Sequence, residues 1–524
     1  MEENHLADGK QARLLLLLCI FVIAVCGLVY ELLAGALSSY LMGDSVYQFS
    51  IVIGLFMSSM GLGSFLSRYI NRELPLAFIA VELLTGVIGG FSALVLFLAF
   101  AKLDNYQPFL FLISISLGTL IGLEIPLILR ILKEHSELKI IVSNVLTADY
   151  LGALIGAILF PLIFVPFLGL VQTGLFFGLF NVAVAGVAVW VFYPVLSKPK
   201  PIIAAVVFSA VALAITLGLA ENISSYLERS LYSGEIIYAK TSPYQRLVVS
   251  RRGGAINFFI NGGIQFCSLD EYRYHEALVH PAMSHAPRHE NVLILGGGDG
   301  LAAREVLKYP DVKSISIVDL DPAVTEFFKT NPMMRQLNKG SLSDPKVKIY
   351  NMDAWKFIEQ HPDGKKLFDL IFIDLPDPRN IELSKLYSLS FYRMLSGRLA
   401  VGGAIAVQAA SPLFVRKAYW CAAHTMEDVD NPYEENKKLY VVPYHAYVPS
   451  FGEWGFVLAS PLPVQWDKLN LKVPTKYLDD KVMHDMKDFP KDTSEVETDV
   501  NRLNTHRISD YYEKGWEKWY VPGS

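Results

Sequence analysis

The chain has 524 residues, enough for two or three domains, and with 52% hydrophobic and only 19% charged residues, at a mean hydropathy of +0.34, it is too apolar for an ordinary soluble enzyme. Its net charge of −5 is spread thinly with no basic tract, which argues against nucleic acid as a partner. Four cysteines, Cys19, Cys26, Cys267 and Cys421, show neither CxxC nor metal-ligand spacing, so neither a disulfide framework nor a metal site is expected.

From the amino end, residues 1 to 220 read as a multi-pass α-helical membrane domain, because apolar runs recur at close to the roughly 20 residues that cross a bilayer. About seven are expected, near 14 to 38, 46 to 67, 76 to 100, 107 to 129, 141 to 167, 171 to 193 and 201 to 220. No AxA-like site follows the first, so it is expected to stay in the mature protein. Small residues inside the runs, as in Gly61-Leu-Gly63-Ser64 and Gly152-Ala-Leu-Ile-Gly156, suit close helix packing.

Arg13, Arg68, Arg72, Arg130, Lys133, Lys139, Lys198 and Lys200 fall on one side of a seven-helix path, which should be cytoplasmic; the other joints carry only Lys102. Taken literally, this puts everything after residue 220 outside the cytoplasm, whereas the nucleoside argued below belongs to the cytosol. The side of the catalytic region therefore stays open, in a protein of the plasma or inner membrane. Glu31, Glu82, Glu124 and Asp149 lie within the runs with no Lys or Arg at comparable depth. They read either as a cation path or pocket, for protons or an amine, or as protonated acids hydrogen-bonding between helices.

Residues 221 to 285 form a linker and a small β region. ENISSYLERSLYSGE is a polar link, and EIIYAKTS, QRLVVSRR and AINFFINGG alternate as a short antiparallel sheet. The segment from Gln265 to Glu276, with Tyr274 and His275, is expected on a helix that is either a solvated face or a substrate wall.

Residues 286 to 460 alternate strands and helices as in a Rossmann-like, methyltransferase-type doubly wound sheet. In NVLILGGGDGLAAREV a strand runs through Gly296, Gly297 and Gly298 into a helix, a turn that offers backbone N–H groups and lets a ligand approach closely. Asp299 at that turn would repel a pyrophosphate, so a cationic sulfonium nucleoside is the better guess. The next strand ends at Asp319-Leu-Asp321, where an acid can accept both hydroxyls of a ribose, and Asp353 ends the one after, where it would reach an adenine amino group. FDLIFIDLPDPRN then carries Asp374 and Asp377 three residues apart on a proline-stiffened turn, a pair that can bind a cationic amine and take its proton. GxSxG, HExxH and P-loop motifs are missing, which leaves hydrolase, zinc protease and ATPase readings without residues.

YHEALVHP, ILGGGDGLAAREVLKYP, DLDPAV, FDLIFIDLPDP, AIAVQAASP and YVPSFGEWGF, in that order over about residues 235 to 460, closely resemble the spermidine synthase (polyamine aminopropyltransferase) family, in its membrane-fused multi-pass form. The resemblance implies transfer of the aminopropyl group of decarboxylated S-adenosylmethionine to a diamine such as putrescine, releasing methylthioadenosine, with no tightly bound cofactor and a homodimer or higher homo-oligomer. It also implies that Gln245, Asp299, Asp319 and Asp353 hold the nucleoside and its arm, that Asp374 is the catalytic base, and that Asp377, Tyr274, His275 and Gln408 stand beside the acceptor amine. Departures from the family pattern at Ile260-Asn261-Gly262, at Leu375 and Pro376, and at Phe451 in place of a tyrosine remove hydrogen-bonding groups near the acceptor.

A methyltransferase or other sulfonium enzyme on the same fold, and a polyamine transporter or sensor, are the alternatives. The tail, 461 to 524, either packs on the catalytic domain or lies at the bilayer surface.

Overall fold

The computed structural model describes residues 10–42, 45–102, 106–133, 138–232, 234–364 and 366–519; the end of the tail and the side chains of Arg13 and Lys102 lie outside these. The chain divides near Tyr232 into two compact units.

The first unit is helical: α1 (Lys10–Met42), α2 (Ser45–Leu66), α3 (Leu74–Lys102), α4 (Gln107–Leu132), α5 (Leu138–Leu159), α6 (Val165–Phe192) and α7 (Pro199–Leu231). Six stretches among the described residues are long and apolar enough to cross a membrane; one of them, Lys139–Val195, is 57 residues long and takes in both α5 and α6. It is interrupted at Gly169, whose φ of 74° and ψ of 173° break the helix between Pro166 and Val171. Small residues mark the crossings. A Cβ on Gly63 would lie 2.0 Å from the Thr119 carbonyl oxygen, and one on Gly152 would lie 2.4 Å from that of Phe21. Gly61 has open space beside it, so only part of the small-residue pattern is used for packing. Helix α7 does not stop where the apolar run ends at residue 220 but continues to Leu231, because no Pro or Gly interrupts the polar segment before Gly234.

The second unit opens with an antiparallel sheet of four strands, β1 (Glu235–Thr241), β2 (Arg246–Arg252), β3 (Ala255–Ile260) and β4 (Gly263–Cys267), in sequential order. Gln265 thus lies on a strand; the helix expected to begin there, α8 (Glu271–His285), starts six residues later and runs through Pro281. Phe258 and Phe266 of the small sheet pack edge-on against Phe328, and Tyr238 stacks on Phe327 at 4.0 Å, so the sheet is anchored on the α/β core.

The core follows as β5 (Asn291–Gly296), α9 (Leu301–Val306), β6 (Ser314–Asp319), α10 (Pro322–Thr330), α11 (Pro332–Leu337), β7 (Val347–Asn351), α12 (Ala354–Gln360), β8 (Phe368–Asp374), α13 (Ile381–Ser384), α14 (Leu389–Ser396), β9 (Leu399–Gln408), α15 (Arg416–Glu427), β10 (Tyr440–Val448) and β11 (Gly452–Ser460). The sheet order is β10-β11-β9-β8-β5-β6-β7. Strands β7, β6, β5, β8 and β9 are parallel, and the β10–β11 hairpin adds an antiparallel edge that a purely parallel expectation omits. The central strands are apolar on both faces, as FDLIFID in β8 shows, because helices cover the sheet on each side.

The tail packs on this unit through α16 (Asp480–Asp485), α17 (Arg507–Glu517) and the irregular segments around them. The buried Glu276 carboxylate accepts the backbone N–H groups of Lys476, Tyr477 and Leu478 at 2.7, 2.8 and 3.1 Å. Asn501 donates to the carbonyls of Ser384 and Tyr387, and Trp516 of α17 stacks on Phe414 at 5.0 Å.

Candidate active site

The carboxyl ends of β5, β6 and β8 open into a cleft of about 250 Å³, the place where an open α/β sheet holds its ligand. All twelve residues singled out from the sequence line it: Gln245, Tyr274, His275, Gly296, Gly297, Gly298, Asp299, Asp319, Asp353, Asp374, Asp377 and Gln408.

On the glycine side, Gly296 and Gly297 hold positive φ values of 81° and 61°, at which an L side chain is strained. The protein's own atoms also demand these glycines: a Cβ on Gly296 would lie 2.0 Å from the Asp374 carbonyl oxygen, and one on Gly298 would lie 2.4 Å from Asp319 Oδ2. The Gly298 N–H donates to Asp319 Oδ2 at 3.0 Å, and the Asp321 N–H donates to Oδ1 at 3.0 Å, so β5 and β6 are locked together where the ligand would enter. Asp299 accepts the Leu301 N–H at 2.8 Å. Asp353 accepts the Lys356 N–H as the cap of α12 and pairs with Lys385 at 3.2 Å, leaving it a structural duty as well as a place in the wall. Asp321 turns away: it caps α10 through the Ala323 N–H and accepts the Ser242 hydroxyl at 2.6 Å.

On the acceptor side, the Tyr274 hydroxyl donates to Asp374 Oδ1 at 2.6 Å. Gln408 stands in the wall, but its amide is already engaged: Nε2 donates to the Leu375 carbonyl and the Tyr387 hydroxyl, and Oε1 accepts the Ala410 N–H. It thereby fixes the loop that carries the paired acids. His275 is buried and turns Nδ1 to the carbonyl and carboxylate of Glu271, at 2.7 and 2.8 Å.

Burial raises the Asp299 carboxyl to about 6 against the opposing charge of His275. Burial likewise raises Asp319 to about 6, against hydrogen bonds from the Asp321 and Gly298 N–H groups. Burial pushes Asp374 up too, opposed by the His275 charge and the Tyr274 hydrogen bond, and Asp377 upward against its hydrogen bond from Tyr512. His275 itself would be lowered by burial, but Glu271 outweighs that and lifts it to about 9. One protonated imidazole therefore sits behind several carboxylates, which fits a cleft awaiting a cation.

Two features were not foreseen from the sequence. Tyr512 of α17 lines the cleft and donates its hydroxyl to Asp377 Oδ2 at 2.9 Å, so the tail supplies a side chain to the site. Beneath the cleft, Arg304 makes a forked pair with Glu271 at 2.8 and 2.9 Å and binds Glu305, which also meets His280 and Lys308. The alternation of acids and bases in YRYHE and REVLK is the only local sign of that network.

A Rossmann-type cleft with acids at the ends of successive strands and a further pair at Asp374 and Asp377 defines a nucleoside-dependent transferase. Residues 271–466 match the spermine/spermidine synthase domain. Relatives named polyamine aminopropyltransferase align over nearly the whole chain. The protein of Leptospira interrogans is 43% identical over 96% of this chain and 99% of its own length, and the second such enzyme of Ralstonia nicotianae is 44% identical over 97% and 99%. A crystal structure of spermidine synthase from Thermotoga maritima aligns with 49% of this chain and 85% of its own at 25% identity and a TM-score of 0.42. The chain belongs to the polyamine aminopropyltransferases, and it is an enzyme that transfers aminopropyl groups.

Proposed function

We propose that this protein moves the aminopropyl group of decarboxylated S-adenosylmethionine onto a diamine such as putrescine, with Asp374 as general base, from a catalytic unit tethered to the membrane by the helical one. The observation that carries this reading is one cleft lined by the glycine turn, by Asp299, Asp319 and Asp353, and by Asp374 and Asp377. In it, Asp319 would take the ribose hydroxyls and Asp353 the adenine amino group, and Asp299 would neutralise the ammonium end of the aminopropyl arm.

Asp377 would hold the distal or attacking ammonium of the diamine, and Asp374 would take the proton from the nitrogen that attacks. The amine lone pair forms the C–N bond to the methylene beside sulfur, and the C–S bond breaks. Its electrons leave on a neutral thioether, methylthioadenosine. Positive charge on sulfur already activates the methylene, so orientation and proton removal are what the protein must add. Tyr274, donating to Asp374, would aim its free lone pairs at the amine. Gln408 would act by holding the Leu375–Pro376 turn rather than by touching substrate. The six apolar stretches support membrane attachment by length and composition.

The test is incubation of the detergent-solubilised full chain with decarboxylated or intact S-adenosylmethionine and a panel of amines, with products identified by mass spectrometry. Methylthioadenosine and a diamine heavier by one aminopropyl group, formed only from the decarboxylated nucleoside, is the expected result. Methyl transfer from the intact nucleoside, or an acceptor that is not a diamine, would overturn it.

A further inference from the structure

We propose that the helical unit contains a second amine site, a cavity that takes a linear aliphatic polyammonium ion. The cavity measures about 120 Å³ and is lined by Glu31 of α1, Glu124 of α4 and Asp149 of α5, with apolar side chains such as Ile20, Phe56 and Phe78 between them. No Lys, Arg or His lines it.

Glu124 is 3% exposed. Its Oε1 accepts the Thr85 hydroxyl at a long 3.4 Å. One turn before Thr85 on α3, Glu82 is fully buried; Oε2 accepts from Asn181 at 3.0 Å and Oε1 is unpaired among the described residues. Taking carboxylates out of water costs several kcal/mol each unless a cation answers them. The cavity lining provides none, so the acids either carry protons or are answered by a cationic ligand, and it is the ligand that we propose.

The geometry selects the kind of cation. A metal ion needs several oxygens converging within one coordination sphere. Among the described residues no group of three or more Asp, Glu, His or Cys side chains converges closely enough to hold one. Acids spread over three helices with apolar surface between them instead match a ligand whose charges are separated by methylene chains. That description fits the amines the catalytic unit handles, yet the cavity lies wholly within the helical unit and needs neither Asp374 nor Asp377.

Binding of radiolabelled spermidine to the detergent-solubilised full chain, measured by equilibrium dialysis, tests this, with aminopropyl transfer as the control for folding. The expected result is two sites per chain. Asp377→Asn removes one, and Glu124→Gln removes the other or weakens it at least tenfold while kcat and the acceptor KM stay unchanged. Asp149→Asn does the same as Glu124→Gln should either variant fail to fold. A single site, or a second site insensitive to both helical variants, overturns the proposal. So does displacement by sodium as effective as by an equal concentration of 1,4-diaminobutane, which would mark a simple cation site. If only the Asp377→Asn result fails, the acceptor assignment is wrong and the cavity stands.

Discussion

In the catalytic unit, Glu271, Glu276 and Glu305 are buried with their charges answered: by Arg304 and His275, by three backbone N–H groups, and by Arg304, His280 and Lys308. In the helical unit, Glu82 and Glu124 are buried as deeply, yet Asn181 and Thr85 are the donors they meet. The catalytic cleft lies between the two cases: Asp374 and Asp377 each receive a tyrosine hydroxyl rather than a Lys or Arg hydrogen bond, while the charges of His275 and Arg379 answer them only in part. Buried acids that a protein pairs internally hold the fold; those left without a cation cost stability and are retained where a cation binds. Answered and unanswered acids should therefore respond oppositely to removal.

Asp374→Asn gives the largest effect. Loss of the general base should lower kcat by roughly 100-fold to 10,000-fold, read as methylthioadenosine release. The melting temperature should stay level or rise, because a buried charge that His275 and Tyr274 answer only in part has gone. A drop in melting temperature without loss of turnover would erase the distinction. Arg304→Met is the mirror image. It strands Glu271 and Glu305 without their guanidinium and should cost about 3 kcal/mol or more in denaturant unfolding of the catalytic unit.

Two pH dependences sharpen the same contrast. Glu271 would be raised by burial, but His275 and Arg304 hold it at about 2 against an ordinary 4.5. Its contribution to stability is in place above 4.5 and is lost as pH falls toward 2. His275, at about 9 against an ordinary 6.5, contributes fully below 6.5 and loses that contribution as pH rises through 9. The pair thus stabilises most between 4.5 and 6.5, a window that Arg304→Met should flatten. Asp374 behaves in the other sense: its raised carboxyl must be ionised to accept a proton, so kcat/KM should fall on the acid side at a pH above the ordinary range of about 4.

How much of this was legible follows from how local each signal is. An apolar strand that ends in glycines or an acid places that side chain at the carboxyl end of the sheet by itself, which is why Gly296, Asp319 and Asp374, and Asp353 just past β7, could be singled out from spacing and all line the cleft. The reason for the glycines was less legible, since the nearest obstacle to a Cβ on Gly298 is Asp319, a residue on another strand. Gln265 was misplaced on a helix because β4 is only five residues long and too short for alternation to outweigh the helix beside it. Gln408 was expected to face the acceptor, and its amide proves to be occupied by Leu375 and Tyr387, a pairing no motif encodes. The tail is ambiguous in the sequence because the residues it docks on, such as Glu276 and Ser384, lie 117 to 200 residues earlier in the chain.

The smallest effect expected is that of Tyr512→Phe, and it separates the two halves of the cleft. Phe451 offers no hydroxyl to the acceptor side, whereas Tyr512 reaches Asp377 from 135 residues further along. Its hydroxyl occupies Asp377 Oδ2 and so fixes which lone pairs remain for an ammonium. Removing one hydrogen bond to a carboxylate is worth about 1.5 kcal/mol, which should raise the acceptor KM roughly tenfold and leave kcat and the nucleoside KM unchanged. Steady-state kinetics with each substrate varied in turn read this directly. An equal fall in kcat would place Tyr512 with Asp374 among the groups acting on the transferred proton. A rise in nucleoside KM instead would mean that α17 braces the whole cleft rather than the acceptor end.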